Sequence, residues 1–335
     1  MTLVVGGNGA GKSSVLEAIH LGLRGTSPRT ASPREMIRHG RDFLRVEIEL
    51  DLLTGEDNEP RVIQASAGLD INGEKRATAD GAPLSDFRRW EELLPLRSFF
   101  PDSLRLIKGS PTRRRRWMDE MTSTQLPAYP GSLRNYQAAL EQRNHLLRQG
   151  VVGWEHGPWE TILAREGLAL ARARERSLAV FAPFFAAALS RVGGGAVEGA
   201  ILKYRTNTAG LEEGGYRDRL AETRESDRRR GFTHVGPHRD DMRVSIRGVD
   251  VRESGSQGEQ RTALLALLLA ERELTAGSAG VVPLLLLDDV MSELDGSRRR
   301  ALVAMLLEAG QSVVTATDTH HFTSEELEAM QVVTL

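Results

Sequence analysis

Residues Gly6, Gly7, Asn8, Gly9, Ala10, Gly11, Lys12, Ser13 and Ser14 fit the pattern G-x-x-x-x-G-K-[ST]. A strand-like apolar run (3–5) precedes them and a helical pattern (15–23) follows, as a phosphate-binding loop requires. A glycine-rich helix start would need neither flank, and both are present. The glycines permit a loop whose N–H groups wrap phosphates, Lys12 can reach the terminal phosphates, and the Ser13 hydroxyl can bind Mg²⁺. Only five residues precede the loop, so the strand that opens the sheet is short.

A second stretch needs the same partner. Ser254, Gly255, Ser256, Gln257, Gly258, Glu259, Gln260 and Arg261 run straight into an apolar helical segment, 262–269. Two glycines let the backbone approach something closely. Free N–H groups and the positive end of the helix dipole then face an anion. The ordinary reading is a flexible turn with an N-cap serine, and the P-loop upstream weighs against it. Downstream, Leu284-Leu285-Leu286-Leu287 delivers Asp288 and Asp289 to a strand end, and Ser292-Glu293-Leu294-Asp295 follows. A buried strand carrying acids at its carboxyl edge is the place for a Mg²⁺ ligand and a water-activating base. These motifs together imply a nucleotide-driven ATPase.

Composition narrows the setting. A chain of 335 residues, 40% hydrophobic and 27% charged, suggests two globular lobes, each burying its own core. The 46 acids and 44 Lys plus Arg nearly cancel, so any nucleic-acid surface must come from local clustering of charge. With no cysteine, disulfides, thiolate metal sites and a cysteine nucleophile are excluded, which suits a reducing cytoplasm. The start, Met1-Thr-Leu-Val-Val, lacks the charged and apolar regions of a signal peptide. The longest apolar run, 263–270, is too short to span a bilayer and reads as a buried helix, so no membrane association is expected.

Along the chain, alternation over 41–71 predicts an antiparallel hairpin or meander, and 84–94 has helical spacing before a strand near 96–100. From 103 to 230 the chain is rich in Ala, Leu, Arg and Glu with long helical periods; Trp117, Tyr136, Leu140 and Leu147 mark helix faces. A helix over 159–189 should kink or break at Pro183. This is a helical lobe inserted between an N-terminal ATPase part (1–102) and a C-terminal one (231–335). Its apolar spacing is not sustained as heptads, so no long coiled coil follows, and there is no internal repeat. Gly193-Gly-Gly195 ends the lobe's helix, and 197–204 returns to strand.

Two basic runs, Arg113, Arg114, Arg115, Arg116 and Arg228, Arg229, Arg230, lie in or beside this lobe. Such runs are usually solvated helix faces, but clustered Arg also supplies the sequence-independent phosphate contacts of DNA binding. The loop 231–241 carries His234, His238, Asp240 and Asp241. A metal site is disfavoured because no helix aims the ligands, leaving a loop that binds phosphate or orders the active site. After it come a strand (242–246), a helix (297–307) and a last strand (312–316). That strand ends in the polar turn 317–321, where a γ-phosphate sensor would sit, with no one residue singled out.

The P-loop, the Ser-Gly-x-x-Gly-Glu signature at 254–259 and the acids with Ser-x-Leu-Asp at 292–295 resemble ABC-type ATPases, specifically SMC-like heads. The loop Gly236-Pro-His-Arg-Asp-Asp241, the Asp288-Asp289 pair in place of Asp-Glu, the short helical insertion and Leu94-Pro-Leu near Pro101 are similar to the RecF family. The resemblance covers nearly the whole chain. It implies an α/β fold, an ABC/SMC-like P-loop ATPase head with mixed sheets and an inserted helical lobe. It also implies a homodimer joined by ATP, each site pairing one subunit's P-loop with the other's signature. Lys12 and Ser13 would then meet phosphate and Mg²⁺, Asp288 Mg²⁺, and Asp289 would act as base. Ser254 and Gly258 would contact the partner's γ-phosphate, with Gln257 and Glu259 beside them, and 292–295, including Asp295, would line the seam. The implied partners are double-stranded, gapped or junction DNA together with RecO and RecR, in helping RecA load. An extra strand pair that the family places before the P-loop is absent from this sequence, so no adenine contact is assigned. Arg97 stands where related heads carry a Mg²⁺-sensing glutamine. A transporter motor subunit shares this head but normally carries a glutamate base, and an SMC head needs a long coiled coil.

Overall fold

The computed structural model describes residues 1–30, 32–54, 59–84, 94–193, 199–308 and 310–335. Most of the expected helix 84–94 and of the turn after residue 54 therefore lies outside the described residues. In chain order the strands are β1 (Thr2–Val5), β2 (Phe43–Thr54), β3 (Glu59–Asp70), β4 (Lys75–Ala79), β5 (Ala82–Pro83), β6 (Leu96–Phe99), β7 (Ile201–Arg205), β8 (Asp241–Ile246), β9 (Val249–Asp250), β10 (Leu284–Leu287), β11 (Ser312–Ala316) and β12 (Gln331–Thr334). The chain forms two compact units: Met1–Ser103 with Arg191–Gly194 and Glu271–Leu335, and Leu104–Ser190 with Gly195–Ala270.

The first unit is built on a parallel sheet in the order β12-β1-β11-β10-β6. Every residue of β10 and β11 is buried, as expected where both faces of a parallel sheet are covered. Register pairs Val5 with Ala316, and Leu287 with both Val314 and Phe99. The carboxyl ends of β1, β11, β10 and β6 therefore finish along one edge, the edge where open α/β sheets take their ligands. The strand predicted over 312–316 is β11, but it is not the last. β12 adds to β1, and its four exposed residues carry no burial pattern that a sequence reading could catch.

Helix Lys12–Arg24 follows β1. Its Leu16 and Leu23 join Val4, Leu96, Phe100, Leu284, Leu286 and Val313 in one buried cluster, with Ile48 and Leu50 of β2 packed against it. The helix thus lies against both the parallel sheet and the antiparallel sheet β2-β3-β4-β5. The approach is close enough that a Cβ on Gly22 would stand 2.3 Å from Ile48 Cδ1. The hairpin expected over 41–71 is β2 and β3, paired from Phe43–Asp70 to Thr54–Glu59.

The second unit holds the antiparallel sheet β7-β8-β9 and the helices Pro111–Gln125, Tyr129–Arg148 and Glu213–Arg230, with most of Gly157–Val192. That last helix is not broken at Pro183. Buried Phe181, Phe185, Ala188 and Leu189 continue its packed face past the proline, which offsets the lost hydrogen bond. The core gathers Tyr129, Tyr136, Ala139, Leu163, Ala164, Leu168, Tyr216, Leu220 and Val235. Gly236 is required twice over: its φ is +135°, and a Cβ there would stand 2.4 Å from the Tyr136 hydroxyl oxygen. The expected lobe limits, 103–230, enclose too little. β7 pairs with β8, and helix Val251–Ser254 packs on β8, so residues 231–270 belong to this unit. Helix Gln257–Ala279 then carries the chain back to the first unit.

Candidate active site

Gly9 and Gly11 adopt φ of +85° and +99°, values that glycine tolerates and that curl the loop tightly between β1 and its helix. Gly11 stands at the helix N-cap without a side-chain bond, so no side chain competes for the first-turn amides, which a phosphate can claim. Lys12 is 8% exposed. Its ammonium donates to the carbonyl oxygens of Gly6 at 2.6 Å and Gly7 at 2.9 Å, which places the charge at the loop's centre. Ala10 donates its N–H to the Gly7 carbonyl at 3.2 Å and tightens the same turn.

Sheet order explains what meets the loop. β1 and β10 flank β11, so the residues after β1 and after β10 converge over the end of β11. The Ser13 hydroxyl donates to Asp288 Oδ1 at 2.9 Å, across 275 residues of sequence. Thr315 of β11, wholly buried, donates to the same oxygen at 2.9 Å and accepts the Asp289 N–H at 2.8 Å. Asp288 is fixed further by its own N–H, which donates to the Phe99 carbonyl at 2.8 Å. Thr315 escaped the sequence reading. Its signal was a hydroxyl inside the otherwise apolar run Val313-Val314-Thr315-Ala316.

Asp289 differs from its neighbour. It sits at φ +51° and ψ +28°, a left-handed conformation that is uncommon outside glycine, where strain collects at functional sites. Its Oδ1 is buried and makes no hydrogen bond among the described residues. Buried carboxylate oxygens are normally satisfied, so one left open in a cleft is poised for a ligand or a water. Asn8, Gly9, Gly11, Lys12, Ser13, Ser14, Asp288 and Asp289 line this cleft of about 260 Å³. The donor set fits Mg²⁺. The protein offers two hard oxygens, from Ser13 and Asp288, and a small octahedral cation takes its remaining ligands from water and phosphate. Among the described residues, no cluster of three or more His, Asp or Glu side chains offers a self-sufficient metal cage.

The signature turn lies in the second unit. Helix Val251–Ser254 is capped by Asp250, which accepts the N–H groups of Arg252 and Glu253. Gly255 has no room for a Cβ, which would stand 2.5 Å from the Val251 carbonyl oxygen. Ser256 and Glu259 form a capping box: the Ser256 hydroxyl accepts the Glu259 N–H at 3.2 Å, and the Glu259 carboxylate accepts the Ser256 N–H at 2.8 Å. Glu259, expected beside nucleotide, is therefore committed to the helix start. Gln260 donates to the carbonyls of Val251 and Gly255, each at 3.0 Å, and locks the two helices together. Ser254 and Gln257 are exposed, and Gly258 is half-buried.

Asp295 likewise has local work. It accepts the N–H groups of Ser297 at 3.1 Å and Arg298 at 3.0 Å at the start of helix Gly296–Glu308. The Arg298 amide, with the Ser297 hydroxyl, holds its carboxyl below the usual range. In the turn 317–321, Asp318 accepts the His320 N–H at 3.0 Å, while Arg299 donates to His321 Nδ1 at 2.8 Å. None of these residues lines the cleft. Arg97 forms an ion pair with Glu271 at 3.5 Å, a structural use of that position.

The basic runs divide. Arg114, 2% exposed, grips Asp241 with two bonds of 2.6 and 2.9 Å and donates to the carbonyls of Ile107 and Gly109. Arg115 donates to the Asp240 carbonyl at 2.9 Å. Arg114 does not match the DNA-contact expectation: helix Pro111–Gln125 turns it into the unit's interior, where an unpaired charge could not stay, whereas Arg115 is half-buried. Arg113 and Arg116 are exposed, with Arg116 paired to Glu120 at 2.8 Å. Arg228, Arg229 and Arg230 are exposed in the last turn of helix Glu213–Arg230, complementing its dipole, and the first two share Glu225. The loop 231–241 is locked by buried contacts and does not gather metal ligands. His238 donates Nε2–H to the Thr233 carbonyl at 2.8 Å and accepts from the Tyr136 hydroxyl at 2.7 Å. Burial pushes its pKa down to about 4.

The RecF/RecN/SMC N-terminal domain model matches residues 1–334. DNA replication and repair protein RecF of Gloeobacter violaceus is 34% identical, covering 100% of this chain and 90% of that protein. Its namesake in an Anaeromyxobacter species is 36% identical, with 95% and 86% covered. Among solved structures, the recombination mediator protein RecF-ATP in the RecFOR pathway superposes with a TM-score of 0.79 at 29% identity, covering 96% of this chain and 87% of that one. The Smc head domain of Pyrococcus furiosus, 16% identical with a TM-score of 0.56, shares the fold alone. No helix among the described residues is long and apolar enough to cross a membrane. With a P-loop, a paired-aspartate strand end and a signature turn on an ABC/SMC-like head, the chain belongs to the RecF family of the RecF/RecN/SMC class.

Proposed function

We propose that this chain is an ATP-driven DNA-binding switch of recombinational repair in the cytoplasm. It would dimerise with ATP on gapped or junction DNA and, with RecO and RecR, help RecA load on single strands. The observation that carries this reading is the constellation of Lys12, Ser13, Asp288, Thr315 and Asp289 around one cleft. Its support in relatives is direct: the curated relatives are named for DNA replication and repair, and the solved ones for RecF with ATP in the RecFOR pathway.

In this reading Lys12 and the loop amides bind the triphosphate, and Ser13 and Asp288 hold Mg²⁺. The ion supplies charge neutralisation on the phosphates when bound. Asp289 orients the attacking water through its open Oδ1 and takes its proton. Aspartate is one methylene shorter than the glutamate usual in ABC-type enzymes, so its grip on the water is poorer. General-base positioning contributes roughly 10²–10⁴-fold, and turnover is therefore slow and regulatory. Ser254, Gln257 and Gly258 are accessible to the γ-phosphate held by a second copy, and Asp295 shapes the seam through the helix it caps. Arg113, Arg116 and Arg228 to Arg230 supply exposed cations for DNA phosphates.

The test is ATP turnover by the purified protein with and without duplex DNA. DNA-stimulated hydrolysis without membrane or transport partner is the expected result. Turnover indifferent to DNA would sink the DNA-switch reading.

A further inference from the structure

We propose that one end of the helical unit binds unpaired bases of single-stranded nucleic acid, with Trp154 as the stacking platform. Three helix ends meet there. Arg143 on helix Tyr129–Arg148 donates to Asp227 on helix Glu213–Arg230 at 2.7 Å. A Cβ on Gly231 would lie 3.5 Å from Arg148 Cγ. Glu160, at the start of helix Gly157–Val192, accepts from Arg143 at 3.2 Å and from Arg224 at 2.6 Å. The link between the first and third of these helices is short and fixed: Val151 donates its N–H to the Leu146 carbonyl at 3.1 Å, and the His156 ring reaches the Val151 carbonyl at 3.0 Å.

On this fixed link Trp154 is 82% exposed and Val152 67% exposed, where indole is normally packed. Glu155 is the one carboxylate on the link itself, and the helix ends beside it are rich in arginine. Arg148 and Arg230 are exposed and make no ion pair among the described residues, while Arg228 and Arg229 share the single carboxylate of Glu225. A bare aromatic face amid excess arginine matches a polyanion whose rings are free to stack. In a duplex the base faces are covered by their neighbours, so the occupant is a single strand. The inference rests on the DNA-binding reading above and specifies which part of a gapped substrate this end would meet.

The experiment uses the full chain, a single-stranded oligothymidine and a blunt duplex. Oligothymidine should quench the emission of the exposed indole. Trp154→Ala should weaken its binding about tenfold, in the range expected for one stacked base, and Trp154→Phe should keep most of it. Arg148→Glu with Arg230→Glu should lower both affinity and the steepness of its salt dependence. Duplex affinity and ATP-dependent sedimentation of Trp154→Ala should match the parent. Parental oligothymidine affinity in Trp154→Ala, or no quenching in the parent, would overturn the inference and leave the exposed end to a protein partner. Single-strand binding through Trp154 without any duplex binding would instead defeat the duplex part of the proposed function and leave this inference standing.

Discussion

At the residue scale, the proposed function divides the site into groups that hold and groups that react. Lys12 holds: its ammonium is buried against two loop carbonyls, and a bound triphosphate would engage the same charge. Lys12→Ala removes a charge-assisted contact of about 1.5–3 kcal/mol, so ATP affinity should fall at least about tenfold. Equilibrium titration with a fluorescent ATP analogue checks this, and unchanged affinity would refute the P-loop assignment. A second prediction concerns His238, buried neutral with a pKa near 4 against an ordinary value of 6.5. The unfolded chain takes up this proton first as pH falls, so stability is fully present above about pH 6.5 and is lost between there and about pH 4, by at most about 3 kcal/mol. Denaturant unfolding across that window should show a shallower slope in His238→Asn than in the parent; identical slopes would exclude His238 as the source. Lys12, Ser13, Asp288 and Asp289 were legible in the sequence because their chemistry depends on residue type and spacing. Thr315 was not, because one hydroxyl in an apolar strand gains meaning only when sheet order sets it between Ser13 and Asp289.

At the element scale, the signature turn is locked from within and exposed without. The capping box of Ser256 and Glu259 and the two bonds from Gln260 fix its backbone, while Ser254 points outward. Ser254→Arg puts bulk and charge where a partner's phosphate would come, so ATP should still bind while dimers fail in gel filtration. Parental dimerisation of that variant would break the composite-site account. Helix Pro111–Gln125 makes the complementary case. Its four consecutive arginines look alike in sequence, yet successive helical positions are about 100° apart, so a run of four must point to different sides. Arg113→Glu with Arg116→Glu should keep the fold, weaken duplex binding and flatten its salt slope by about 0.9 for each phosphate left unneutralised. Arg114→Ala leaves Asp241 without its bidentate partner and should cost about 3–5 kcal/mol in chemical unfolding. If the double variant binds duplex with the parental salt slope, this helix face is merely solvated.

At the scale of the whole molecule, the sequence order of motifs located the sheet edge but misjudged which residues pack with which unit. Residues 231–270 read as ATPase sequence because the signature falls there. Strand pairing between β7 and β8 nevertheless draws them into the helical unit, and that pairing spans a whole helix that periodicity cannot bridge. β12 was missed for a related reason, since an exposed edge strand has no alternation to read. P-loop and signature belong to different units of one chain, and in the proposed function a second copy's signature completes the site. That claim is tested most directly by sedimentation velocity of Asp289→Asn with saturating ATP and Mg²⁺, with and without gapped duplex DNA. The variant keeps size and hydrogen bonding but lacks the carboxylate proposed as base, so it should bind ATP, fail to hydrolyse it, and sediment as a persistent dimer that DNA further stabilises. A monomer at saturating ATP, or hydrolysis near the parental rate, would contradict the account.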